Sequence, residues 1–168
     1  MERGRYFVAE REGITFIRMV GNLKYTGSSA FDMFLDDFLS QEYRDVVVDL
    51  SDAIFIDSTN LGLLARIAER SRRMGKPSVT LISPHNDINR ILRSVRFDRI
   101  FHIVSSLDTP ESLEELEVGG SHTVSKQNDN LNMILRAHKA LINLDDANRH
   151  EFQDVVDLLE QHQQKQNG

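Results

Sequence analysis

A chain of 168 residues, 40% hydrophobic and 27% charged, has the size and balance of one folded domain or of one domain with an appended piece. It contains no cysteine, which excludes disulfides, thiolate metal sites and cysteine nucleophiles. The net charge of −6 is unevenly placed: residues 1–110 hold 15 acids and 15 bases, residues 111–168 hold 11 acids and 5 bases, and an acidic tail argues against nucleic-acid binding.

In chain order, residues 6–10 and 14–20 (YFVAE, ITFIRMV) are rich in β-branched and aromatic residues around REG and predict a hairpin. Phe31, Phe34, Leu35 and Phe38 recur at helical spacing behind a serine suited to cap the helix. The apolar run 46–50 has the pattern of a central strand covered on both faces. A loop is expected next, pushed outward by Ile54, Phe55 and Ile56 and presenting Asp57, Ser58 and Thr59. The spacing of Leu61, Leu64, Ala65 and Ala68 predicts a helix over about 60–74, ended by Gly75 in a left-handed cap and by Pro77. SVTLI at 78–82 is a strand, Asp87 suits the cap of a helix carrying Ile88, Ile91, Leu92 and Val95, and IFHIV at 100–104 is a last short strand. The order ββαβαβαβ implies an α/β fold, a mixed sheet covered by helices.

Residues 1–110 therefore form one domain. Residues 111–128 read as a short helix (PESLEELEV) and a linker containing Gly119 and Gly120, and residues 129–168 as a helical hairpin. In its first helix, about 131–144, Leu131, Ile134, Leu135 and His138 share one face, while Met133, Ala137, Ala140 and Leu144 make a second stripe. In its second, about 148–162, Asn148 and Glu151 have the spacing of a capping box, and Phe152, Val155, Val156 and Leu159 form the apolar face. Such stripes need cover, from the sheet domain, a second copy or a partner. The tail's acidity favours docking near the arginines of the earlier helices, in competition with a partner. The tail is thus expected to be a regulatory element outside the folding core, so that a chain ending near Val118 stays folded.

Motifs for nucleotides, dinucleotides or zinc (G-x-x-x-x-G-K, G-x-G-x-x-G, H-E-x-x-H) are absent, and no cofactor is expected. A serine nucleophile needs a base and an oxyanion hole, and IDSTN has neither flanking glycines nor a histidine nearby in sequence. RAHKALINL, residues 136–144, loosely resembles the phosphoryl-accepting helix of histidine phosphotransfer domains, but those need a four-helix bundle and only two helices stand here. His138 reads as filling a partly buried helix position. Ser58 and Thr59 have a local use as helix caps, which contribute about 1 kcal/mol. A helix N-terminus also holds anions, so a phosphate on Ser58 would sit on free N–H groups and project about two negative charges.

Residues 5 to about 107 resemble a STAS domain of the bacterial anti-sigma factor antagonist type. The family's phosphoacceptor loop, D-S-S/T-G-L-G after a strand, is matched in register by Asp57-Ser58-Thr59-Asn60-Leu61-Gly62, and the element order and GKPSVTLISP also fit. The resemblance implies that Ser58 is the phosphoacceptor in a partner switch. A serine kinase would phosphorylate it, a PP2C-type phosphatase would restore it, and the unphosphorylated form would bind an anti-sigma factor. That makes the chain a signalling module and not an enzyme. Two positions depart from the pattern. Asn60 replaces a glycine, tolerated because asparagine accepts unusual backbone angles. Lys24, in GNLKY, stands where the family often has an aspartate, which reverses the charge expected near Ser58. The expected partner surface joins Lys24, Asp57 and Thr59 with Arg66, Arg70 and Arg73 on one helix and Arg90, Arg93 and Arg96 on the next. Alternatives are an adaptor that regulates another signalling enzyme by docking, with the tail as docking element, and phosphotransfer through His138. The opening MERGRYFVAERE lacks an apolar leader and no apolar run is long enough to span a bilayer, so the expected location is the cytoplasm, without membrane contact.

Overall fold

The computed structural model describes residues 3–117 and 126–167. Gly119, Gly120 and most of the expected linker lie outside the described residues. Among the described residues, seven strands and five helices follow in order: β1 (Arg5–Arg11), β2 (Ile14–Leu23), α1 (Ser29–Phe38), β3 (Asp45–Asp49), β4 (Ala53–Ile56), α2 (Ser58–Arg73), β5 (Thr80–Ile82), α3 (Asn86–Ser94), β6 (His102–Val104), β7 (Glu114–Glu115), α4 (Lys126–Leu144) and α5 (Ala147–Asn167). This is the mixed α/β sheet with helices that the hydrophobic periods imply.

β1 and β2 pair antiparallel around Glu12 and Gly13, whose φ angles of 55° and 80° are both left-handed, the backbone that a two-residue hairpin turn requires. The sheet runs β6-β5-β3-β2-β1-β7, with β3, β5 and β6 parallel to β2 and to one another. β2 is long enough to serve two partners. Ile14 to Arg18 pair with β3; beyond Gly21, where the register shifts, Asn22 and Leu23 pair with β4. The expected loop at Ile54, Phe55 and Ile56 is thus a strand, because the far half of β2 offers it a free edge. Residues 110–117 do not form the expected helix either: Glu114 and Glu115 pair antiparallel with β1, and Arg5 fixes Glu115 at 2.7 Å.

The helices pack on one face of the sheet, where Ile17, Met19, Val48 and Leu81 meet Phe31 and Leu35 of α1, Leu63, Leu64 and Ile67 of α2, and Ile88 and Leu92 of α3. The central strand is not helix-covered on both sides. Phe16, Val47 and Ile82 on the other face are met by Ile14, Val104 and Leu113, the last from the chain after β6.

The hairpin packs on the sheet domain, one of the three covers its apolar stripes call for. α4 lies along α2, and Met133, Leu135, Ala140, Leu141, Ile142, Leu144, Phe152 and Val156 join the same core cluster as the sheet. Its apolar surface is therefore packed against the sheet domain's own apolar residues. Asn148 does not build a capping box; its buried amide donates to the carbonyls of Val95 and Leu141, tying α5 to the end of α3. The Asp145 carboxylate instead accepts from Ala147 N at 2.8 Å and starts α5. Val155 is exposed, because α5 presents a narrower face than its sequence stripe suggests.

Candidate functional site

The end of β4 places the turn before α2. Asp57 N donates to Leu23 O at 2.9 Å, which pins the turn to the end of β2. The Asp57 side chain, not Ser58 or Thr59, caps α2: its Oδ1 accepts from the backbone N–H of Asn60 at 2.9 Å. Its Oδ2 accepts from Tyr25 N at 2.7 Å, joining the turn to the segment that carries Lys24. Thr59 is buried, while Ser58 is half-buried as the first residue of the helix.

Asn60 accounts for much of this rigidity, and for a reason other than backbone tolerance. It sits in regular helix, fully buried, and its amide donates to Asp57 Oδ1 and to Ser28 Oγ, both at 2.9 Å, while its Oδ1 accepts from the Tyr6 hydroxyl. Ser28 does not cap α1 with its side chain. Its hydroxyl donates to Lys24 O at 2.8 Å and sits 3.0 Å from the Tyr6 oxygen. Burial pushes the Tyr6 hydroxyl well above the ordinary tyrosine range, so it stays a neutral donor. Tyr6, Ser28, Asn60 and Asp57 thus form one chain of bonds from β1 to the start of α2.

The Ser58 hydroxyl is left for another partner. His138 of α4 places Nε2 2.9 Å from Ser58 Oγ. Its Nδ1 lies 2.7 Å from Ile134 O, and since a carbonyl only accepts, Nδ1 carries the proton and Nε2 accepts from the serine. Burial holds the imidazole below the usual histidine range, against the opposing pull of the Ile134 carbonyl and of Asp57. Phe152 meets the ring edge-on at 5.5 Å. A distant histidine therefore does meet the serine. The pair is closed over by α4, however, and Asp57 is bonded to Asn60 and Tyr25 and not to the imidazole. An open cavity lies elsewhere, between β1–β2 and the end of α1, lined by Phe34, Phe38 and Tyr43.

The expected arginine surface divides. Arg66 is mostly buried, donating to Asp32 at 2.8 Å and to Asp36 at 2.7 Å. Arg136 of α4 binds the same two carboxylates, at 3.0 and 2.9 Å. The tail thus docks by an arginine on acids of α1, the reverse of the expected polarity, because its own acids such as Glu151, Asp154 and Asp157 face outward on α5. Burial raises the Asp32 carboxyl despite both arginines; for Asp36, bonds from Arg66 and Arg136 outweigh burial and hold it low. Arg70 donates to Leu39 O, Arg73 pairs with Glu69, and Arg96 donates to the carbonyls of Arg93 and Ser94 at the end of α3. Arg90 and Arg93 are exposed on α3 and Lys24 is exposed beside the turn. Of the residues expected to form the surface, the structure brings Lys24, Asp57 and Ser58 to one turn, buries Thr59 beneath it, ties Arg66 and Arg70 to α1 and the residue after it, and leaves Arg73 exposed in a pair with Glu69 of its own helix.

Among the described residues no cluster of His, Asp or Glu is placed to hold a metal ion, and no helix is long and apolar enough to cross a membrane.

A sequence model of the STAS domain matches residues 7–109. A protein of Thermotoga neapolitana assigned as an anti-sigma factor antagonist is 33% identical over 82 residues, 49% of this chain and 70% of that protein. The crystal structure of a Thermotoga maritima protein assigned the same way superposes with a TM-score of 0.55 at 24% identity, covering 61% of this chain and 87% of that one. The anti-sigma factor antagonist SpoIIAA, solved in its unphosphorylated form, superposes with a TM-score of 0.51 at 12% identity over 61% of this chain and 89% of its own.

Proposed function

Because the chain belongs to the STAS domain family, among the anti-sigma factor antagonists, we propose that it works in a partner switch in which Ser58 is the phosphorylated residue. The observation that carries this reading is the division of labour at the start of α2. Asp57 takes the capping role, so the Ser58 hydroxyl is not spent on the helix end. The amides of Ser58 and Thr59, in the first turn, have no carbonyl of their own helix to bind and suit a phosphate. The structural relative SpoIIAA was solved in an unphosphorylated form, which supports a phosphorylated counterpart in that protein.

In this reading the unphosphorylated chain binds an anti-sigma factor, a serine kinase adds phosphate to Ser58, and a PP2C-type phosphatase removes it, in the cytoplasm. The chain itself is a binding module and not an enzyme. The charge brought by phosphate, about −2, switches affinity by electrostatics without refolding the sheet. Co-expression with the cognate kinase followed by phosphopeptide mapping tests this: acid-stable phosphate on Ser58 is expected. Ser58→Ala should hold the target constitutively, and Ser58→Asp should lose it with an unchanged circular dichroism spectrum of the sheet. Acid-labile phosphate on His138, or equal target capture by both variants, would sink the proposal.

A further inference from the structure

We propose that the α4–α5 hairpin is a removable cover over a docking face formed by α1 and α2, and that this face takes an arginine-bearing amphipathic helix of a protein partner in place of α4. The face has three features, each specific. Gly62 is a notch: a Cβ there would lie 2.2 Å from the carbonyl oxygen of Ala137, so only a helix with a small residue at the crossing can seat at this depth. Asp32 and Asp36 form an acidic pair that Arg66 alone does not neutralise and that Arg136 completes. Ser58 offers a hydroxyl that a side-chain acceptor on the visiting helix must meet, as His138 does.

The hairpin is placed to leave. α4 makes its main contacts with α2, α5, α1 and the turn at Tyr25 and not with the strands, although its buried side chains extend the same apolar core. It is an outer layer, and outer layers open at lower free energy than the sheet they cover. The face also continues outward. Tyr25, Ile54 and Phe55 beside the Asp57 turn are large and apolar yet 43%, 57% and 42% exposed, so a partner seated in place of α4 has further surface to bury. Ser58 and His138 leave no room for a phosphoryl group between them at 2.9 Å, so an enzyme that modifies Ser58 must act on the opened form. That last point alone rests on the reading given under Proposed function; the docking face does not.

Hydrogen exchange on the full chain measures the opening. Amides of α4 and α5 are expected to exchange together, at least tenfold faster than those of β2 and β3. Ala137→Leu, which cannot seat against Gly62, should raise hairpin exchange a further tenfold and leave β2 and β3 protected. A fluorescent synthetic peptide of residues 126–167 should then bind the Ala137→Leu protein and not the wild type, and the same peptide with Arg136→Glu should bind at least tenfold more weakly. The cover is disproved if the hairpin exchanges in step with the sheet in the wild-type protein, if Ala137→Leu removes protection from the sheet, or if the opened protein ignores the peptide. Should the hairpin open as stated while Ser58 takes no phosphate, the partner switch fails and the docking face stands.

Discussion

The hydroxyl of Ser58 and the imidazole of His138, 80 positions apart in the chain, share a hydrogen bond of 2.9 Å in which the histidine accepts. One consequence is kinetic. His138→Ala removes both the acceptor and the ring that meets Phe152, and a large-to-small change at a buried site costs about 2–4 kcal/mol. The loss falls on the hairpin, and since about 1.4 kcal/mol is a factor of ten, Ser58 should be phosphorylated at least about tenfold faster in His138→Ala than in the wild type, measured by phosphate incorporation with the cognate kinase. An unchanged rate would show that the hairpin does not limit access.

The same histidine makes a pH prediction. Its proton affinity is lowered in the folded chain from an ordinary value of 6.5, so the unfolded state binds the proton more readily. Stability from neutral His138 is complete above pH 6.5 and falls as pH drops below it toward the lower folded value. Asp36, whose carboxyl is lowered, titrates below the ordinary carboxylate value of 3.8, and Asp32, whose carboxyl is raised, acts with the opposite sign, adding stability as pH falls, so a decline in this window reports His138. Thermal melts from pH 8 to 5 should show a decline that starts near 6.5, and His138→Gln should flatten it.

Gly62→Ala tests the crossing of α2 and α4. The added methyl would meet the carbonyl oxygen and carbon of Ala137 at 2.2 and 2.4 Å and its Cβ at 2.5 Å, and backbone cannot swing aside as a flexible side chain does. Overpacking of this kind costs about 1–3 kcal/mol. Urea unfolding should show a midpoint lowered accordingly, with hairpin amides losing protection first. A midpoint equal to wild type would mean that α4 shifts along α2 without loss.

The strand–helix alternation, the hairpin turn at Glu12 and Gly13 and the left-handed Gly75 were legible because each is a local rule written over a few residues. Ser58 was legible through its register with a known loop pattern. β4 was not, since whether Ile54, Phe55 and Ile56 pair depends on the length of β2, thirty residues away. The role of Asn60 escaped for a like reason: its partners Tyr6 and Ser28 come from β1 and the turn before α1. Bulk charge does not give the sign of the tail's docking, because one arginine on the inner edge of α4, Arg136, reaches Asp32 and Asp36 while several acids face water.

Asp57 joins the local and the distant. As N-cap it stabilises α2 by about 1 kcal/mol, and it accepts further bonds from the Asn60 amide and from Tyr25 N. Asp57→Ala should lower stability by about 2–3 kcal/mol, since donors of Asn60 and Tyr25 lose their acceptor together. Chemical denaturation checks this, and a loss under about 0.5 kcal/mol, the ordinary scatter of surface changes, would refute it.

Lys24 is exposed, one residue before the Tyr25 N–H that Asp57 holds, so its backbone is tied beside the turn that carries Ser58. A phosphate on Ser58 would place a dianion beside the same turn, and attraction between solvent-exposed charges weakens as salt shortens its range to about 10 Å at 0.1 M. Lys24→Asp should therefore destabilise the phosphorylated form, which appears as faster phosphate removal by a PP2C-type phosphatase, several-fold in low salt and little in 0.5 M salt. The unphosphorylated protein should melt within a degree or two of wild type, because Lys24 lies on the surface with no buried contact to lose. Dephosphorylation rates that match wild type at every salt concentration would make Lys24 a bystander and leave the Ser58 and Thr59 amides as the phosphate's main support.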